Sequence, residues 1–168
     1  MQEWFETIQE DHNPIDNVEE VLNAHNWTFS RPTNEELMLE VQGKYGKYNL
    51  FFIWQEEFNA LQFGCHYDIT VSPENMDNAH SALLSMNEHL WMGHFDLPNE
   101  TRTPIFRYTC MLRAASMSGA SEMIEDIVDA ALMQCERYYS VFKLFNEDHV
   151  TLNESNVSLA LMETVGQS

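Results

Sequence analysis

Between residues 61 and 71 the chain alternates almost without a break. Leu61, Phe63, Cys65, Tyr67, Ile69 and Val71 alternate with Gln62, Gly64, His66, Asp68 and Thr70. Side chains of a strand point to opposite faces in turn, so this period predicts a strand with one packed and one wet face, the habit of antiparallel sheets. Two further strands precede it. Residues 37–41 place Leu37, Leu39 and Val41 on one side and Met38 and Glu40 on the other. Residues 48–54 are apolar on both sides, with Tyr48, Leu50, Phe52 and Trp54 opposite Phe51 and Ile53. Gly43 and Gly46 punctuate the gap as in a hairpin, and Glu56-Glu57 marks the next turn. Residues 94–97 and 104–113 predict two more strands joined at Pro98-Asn99, with Phe106, Tyr108, Cys110 and Leu112 toward the core.

A different period governs the rest. Asn13-Pro14 suits the start of a helix, a capping side chain followed by a residue preset for the first helical position. Ile15, Val18, Val21 and Leu22 follow at helical spacing, and the helix is expected to end near Asn26, with a short extended piece at residues 27–29. Ser72-Pro73 predicts a second start, with Met76, Ala79, Leu83, Met86 and Leu90 as its apolar stripe. That helix is expected to run out at Leu90-Trp91-Met92, where Gly93 supplies a positive φ. A long helix is predicted over residues 121–145, carrying Ile124, Ile127, Val128, Ala131, Cys135, Tyr138, Tyr139 and Phe142. A last helix is predicted over residues 154–165. The resulting class is α+β: a single five-stranded antiparallel sheet, a three-strand meander plus two strands, with helices mostly on one face. Residues 1–12 read as an acidic N-terminal tail and residues 13–168 as one domain. Trp4, Phe5 and Ile8 share one side of a helical turn within that tail, which reads as a frayed terminus or, more sharply, as a docking arm.

Charge narrows the partners. Eight Lys and Arg face 27 Asp and Glu, a formal net charge of −19. Nucleic acid and anionic membrane surfaces are poor partners for such a chain, since both call for a basic footprint. No run approaches the ~18 apolar residues of a membrane span, and the N-terminus has no basic residue and no apolar segment of a secretory signal, so the expected location is the cytoplasm.

Candidate chemistry is sparse. The seven histidines show no metal-ligand spacing, and there is no His-Glu-x-x-His, Gly-x-Ser-x-Gly, Cys-x-x-Cys or glycine-rich phosphate loop. No cofactor, metal or catalytic residue is expected. Cys65, Cys110 and Cys135 read as reduced thiols in apolar settings, with a redox- or metal-responsive sensor as one alternative. A hidden carboxylate or histidine site is another, with His66, Asp68, His89 and His94 as the residues to inspect. What remains is apolar side chains at positions expected to be wet. Strand parity places Met38, Phe51, Ile53, Ile105 and Met111 on the outer face of the sheet, with Arg107 and Arg113 beside them. Such a patch marks a partner or oligomer surface, unless the C-terminal helix covers it and the arginines pair with Glu40 or Asp68. Arg102, Arg107 and Arg113 are expected on one strand.

Several segments in order carry a family resemblance. They are Asn13-Pro14-Ile15-Asp16, Trp54-Gln55-Glu56-Glu57, the strand from residue 61, Cys135-Glu136-Arg137-Tyr138-Tyr139 and Met162-Glu163-Thr164-Val165-Gly166. The densest is Asn87-Glu88-His89-Leu90-Trp91-Met92-Gly93-His94-Phe95-Asp96. Together they resemble the YbjN family of bacterial proteins, described as sensory transduction regulators with a secretion chaperone-like fold. Ser140 departs from the pattern, where proline is expected. The resemblance implies a non-enzymatic, chaperone-like regulatory module, a small acidic homodimer that engages a protein or peptide partner. It supplies no catalytic residues.

Overall fold

A computed structural model describes residues 13–113 and 119–146. The tail at residues 1–12, all but Gly119 of the loop expected at residues 116–119 and the helix expected over residues 154–165 lie outside the described residues. The described residues open with helix α1 (Pro14–Ala24), and Asn13 caps it as its sequence predicts: the side-chain oxygen accepts from the Ile15 amide at 3.0 Å. Strands β1 (Ser30–Thr33), β2 (Glu36–Gln42), β3 (Lys47–Gln55) and β4 (Ala60–Tyr67) follow. Then come helix α2 (Met76–Glu88), strands β5 (His94–Asp96) and β6 (Ile105–Met111), and the long helix α3 (Ala120–Asn146).

The sheet has six strands rather than five, all antiparallel, in the order β1-β2-β3-β4-β6-β5. The addition is β1, which replaces the extended piece expected just before it. Its sequence, Ser-Arg-Pro-Thr, has no apolar alternation. It is held by pairing with β2 and by Arg31, which reaches Glu19 at 2.6 Å and Asp16 at 2.8 Å on α1. The strand expected over residues 61–71 stops at Tyr67, although Ile69 and Val71 stay buried. β6 ends at Met111 and begins at Ile105, so Arg113 lies past one end and Arg102 in the turn before the other.

The three described α-helices lie on one face. Ile15, Val18 and Leu22 of α1, Ala79, Leu83 and Met86 of α2, and Ile124, Ala131, Tyr138 and Phe142 of α3 join Leu37, Leu50, Phe52, Phe63, Cys65 and Phe106 of the sheet in one core. An aromatic group sits at its centre. Tyr67 meets Phe142 with centroids 4.9 Å apart, and Phe95 meets Phe106 and Tyr138 at 5.5 Å each, edge to face, the arrangement ring quadrupoles favour. The Tyr67 hydroxyl is satisfied by the Cys135 carbonyl at 2.7 Å, tying β4 to α3.

Candidate interaction face and the sheet edges

Register turns strand parity into geometry. On the side away from the helices, Met38, Phe51, Gly64, Arg107 and His94 form one row across β2, β3, β4, β6 and β5. Glu36, Ile53, Gln62 and Thr109 form the next, and Glu40, Asn49, His66, Ile105 and Asp96 the row on the other side. Met38, Phe51, Ile53, Ile105, Arg107 and Met111 therefore share the outer face, and Arg113 follows just beyond β6. Met38 is 50% exposed and Met111 61%, while Phe51 and Ile53 are half-buried. Ile105 is different: it is fully buried, without belonging to the core beneath the helices. It is no exposed member of the patch.

Local packing shapes this face. The Phe51 ring lies over Gly64, where a side chain would collide with it, and rests against the His66 ring at 5.3 Å. Burial and the nearby Arg107 guanidinium push the His66 pKa down, favouring the neutral ring. Arg107 pairs with Asp96 at 3.1 Å, not with Glu40 or Asp68. Glu40 instead pairs with Lys47 at 3.0 Å, and Asp68 accepts from the Lys47 amide at 3.1 Å and the Tyr139 hydroxyl at 3.3 Å. The short separation along β5–β6 wins over the longer reach to β2.

Each described sheet edge carries a feature that disfavours a further strand. Pro32 removes a donor from β1. On β5 the Asn87 side chain acts as a surrogate strand. Its oxygen accepts from the Phe95 amide at 2.7 Å, and its nitrogen donates to the Phe95 carbonyl at 3.0 Å. Asn87 and Phe95 of the dense motif thus hold the edge of the sheet. α2 already ends at Glu88, where the His89 ring sits 2.8 Å from the Ser85 carbonyl, so Gly93 is not the helix stop. Gly93 has φ +68 and lies where a side chain would strike the Phe106 ring and the Arg107 carbonyl, which lets β5 close onto β6. Trp91, at 79% exposure, is outside the helix altogether.

The other residues singled out by sequence do not converge on one centre. His66 and His94 stand on strands separated by β6, His89 is engaged at the end of α2, and Asp68 binds the β2–β3 hairpin to α3. Burial pushes the Cys110 and Cys135 thiols up, away from the reactive thiolate. Among the described residues no group of three or more His, Cys, Asp or Glu is placed to hold a metal ion. No described helix is long and apolar enough to cross a membrane.

The fold defines an α+β protein built on one open antiparallel sheet with its helices on a single face. Residues 14–144 match the model of the family described as "YbjN: Putative bacterial sensory transduction regulator". The chain belongs to the YbjN family. Among solved structures it is similar to the "Crystal structure of YbjN, a putative transcription regulator from E. coli", at 11% identity and TM-score 0.47, covering 74% of this chain and 93% of that one. No curated protein matches.

Proposed function

We propose that this chain is a non-enzymatic regulatory module that binds a protein segment on the outer face of its sheet, in the manner of a chaperone. The observation that carries this reading is the face itself. Met38, Phe51, Ile53 and Met111 form an apolar surface that no described helix covers, on a protein whose excess charge keeps such a surface soluble. Methionine, unbranched and polarisable, adapts to varied apolar partners. With Asn87 and Pro32 at the edges, docking onto the face is favoured over strand addition. A homodimer in the cytoplasm is the assembly this reading takes as its form. The family description as a regulator of sensory transduction agrees with a binding role.

A photoreactive residue in place of Met38, in cells of the native host, tests it. Cross-links to a defined protein are expected, and Phe51→Asp together with Ile53→Asp removes them while the fold, followed by circular dichroism, is retained. Cross-links indifferent to those substitutions sink the reading.

A further inference from the structure

The N-terminal segment and the uncovered face meet at the same end of the sheet. The Asn13 side chain caps α1 and also donates to the Asn34 carbonyl at 2.6 Å, in the turn between β1 and β2. That turn leads into Glu36, whose row runs on through Ile53, Gln62 and Thr109, with Met111 two residues further in the same direction. Residues before Asn13 therefore leave from the end of the sheet where Met111 is exposed. The residues after Asn146 leave from the other end, because the Asn146 amide is bound to the Thr70 carbonyl at 2.7 Å, beyond the end of β4.

We propose that residues 1–12 dock on the outer face through Trp4, Phe5 and Ile8, so that this segment and a protein partner compete for one surface. The competition rests on the function proposed above; the docking does not. Reach is ample. From Asn13 back to Trp4, nine extended residues span ~30 Å, whereas β2 and β6 are three strand spacings apart, ~14 Å. The chemistry is complementary. The segment pairs its three large apolar side chains with Glu3, Glu6, Glu10 and Asp11 and contains no Lys or Arg. The face pairs its apolar side chains with Arg107 and Arg113, and Arg113 has no ion-pair partner among the described residues. Glu35, Glu36, Glu56 and Glu57 occupy the β2–β3 side of that end, so the acids of the segment are seated over β6.

The test uses the full-length chain with photoreactive benzoylphenylalanine replacing Met111. Cross-links are expected within one chain, to residues 1–12, with a yield independent of protein concentration. Two aromatic rings each bury ~150–250 Å², so Trp4→Ala with Phe5→Ala cuts that yield by about tenfold or more. Cross-links to a second copy, to residues 147–168, or to no part of the chain overturn the docking. Deleting residues 2–12 is expected to raise cross-linking of the host partner from position 38; an unchanged yield overturns the competition. Loss of the partner on Phe51→Asp with no tail cross-link would leave the proposed function standing and this inference refuted.

Discussion

Tyr48 shows how much a single buried atom can decide. Its ring is fully buried, 5.5 Å from Tyr67 and 6.3 Å from Tyr139, yet its hydroxyl has no hydrogen-bond partner among the described residues. Burial and the nearby Glu136 carboxylate push its ionisation far up, so it stays neutral. A buried hydroxyl without a partner costs its desolvation and returns nothing. Tyr48→Phe is therefore expected to stabilise the fold by about 1 kcal/mol, read as a higher urea midpoint at unchanged slope. A lower midpoint would show that the hydroxyl is satisfied after all. His66 offers a second residue-scale test. Its folded pKa is lowered, so as pH falls through ~6.5 the unfolded chain takes up the proton first and stability drops until the folded pKa is passed. Wild type should lose more stability than His66→Gln between pH 7.5 and 5.5. Equal losses would mean that the ring titrates as it does in the unfolded chain. Parity in the sequence placed Tyr48 inward and His66 outward. It could not show an unmatched hydroxyl or a guanidinium nearby, because the first depends on how α3 packs over the sheet and the second on which strand lies alongside.

At the scale of elements, five of the six described strands were legible and β1 was not. β2 and β4 alternate, β3 is apolar on both sides, and the three pair as a meander in the order their sequence predicts. β1 was missed because Arg31 and Pro32 carry no strand signal; its place is fixed by ion pairs to α1 and by β2. The motif at residues 87–96 was visible, but its meaning was misread. The sequence suggested a helix stopped by Gly93, whereas the helix is already over and the glycine serves the closure of β5 on β6. Asn87 carried no signal, since a carboxamide that mimics a strand is recognisable only once the strand is beside it. Asn87→Ala leaves the Phe95 amide and carbonyl without those two bonds and should destabilise by about 1–3 kcal/mol. It also uncovers an edge, so light scattering at raised protein concentration should increase. Asn87→Asp keeps the acceptor but loses the donor, and should fall between the two. An alanine variant as stable and as monodisperse as wild type would show that the carboxamide does not guard this edge.

For the molecule as a whole, the sequence located the face without deciding its cover. Register brings six of the seven candidate residues onto one surface, but the burial of Ile105 was beyond strand parity, which reports direction and not what lies above a side chain. Charge is the other global property, and it sets two effects of salt against each other. Pairs such as Lys47–Glu40 and Arg107–Asp96 are exposed, contribute at most about 1 kcal/mol each and weaken on screening. Against them stand 27 acids with only eight Lys and Arg to pair with, including the exposed Glu122, Glu125, Asp126 and Asp129 along the opening turns of α3. Most acids therefore repel one another, and compaction brings them closer. Raising NaCl from ~10 mM to ~0.3 M shortens the screening length from ~30 Å to ~6 Å. Repulsion among the acids outweighs attraction within the few pairs, so the urea midpoint should rise over that range. Chloride is the proper anion for this measurement, because sulfate strengthens apolar burial by exclusion and would raise the midpoint of almost any protein. A midpoint that falls with NaCl would mean that the few ion pairs outweigh the net charge.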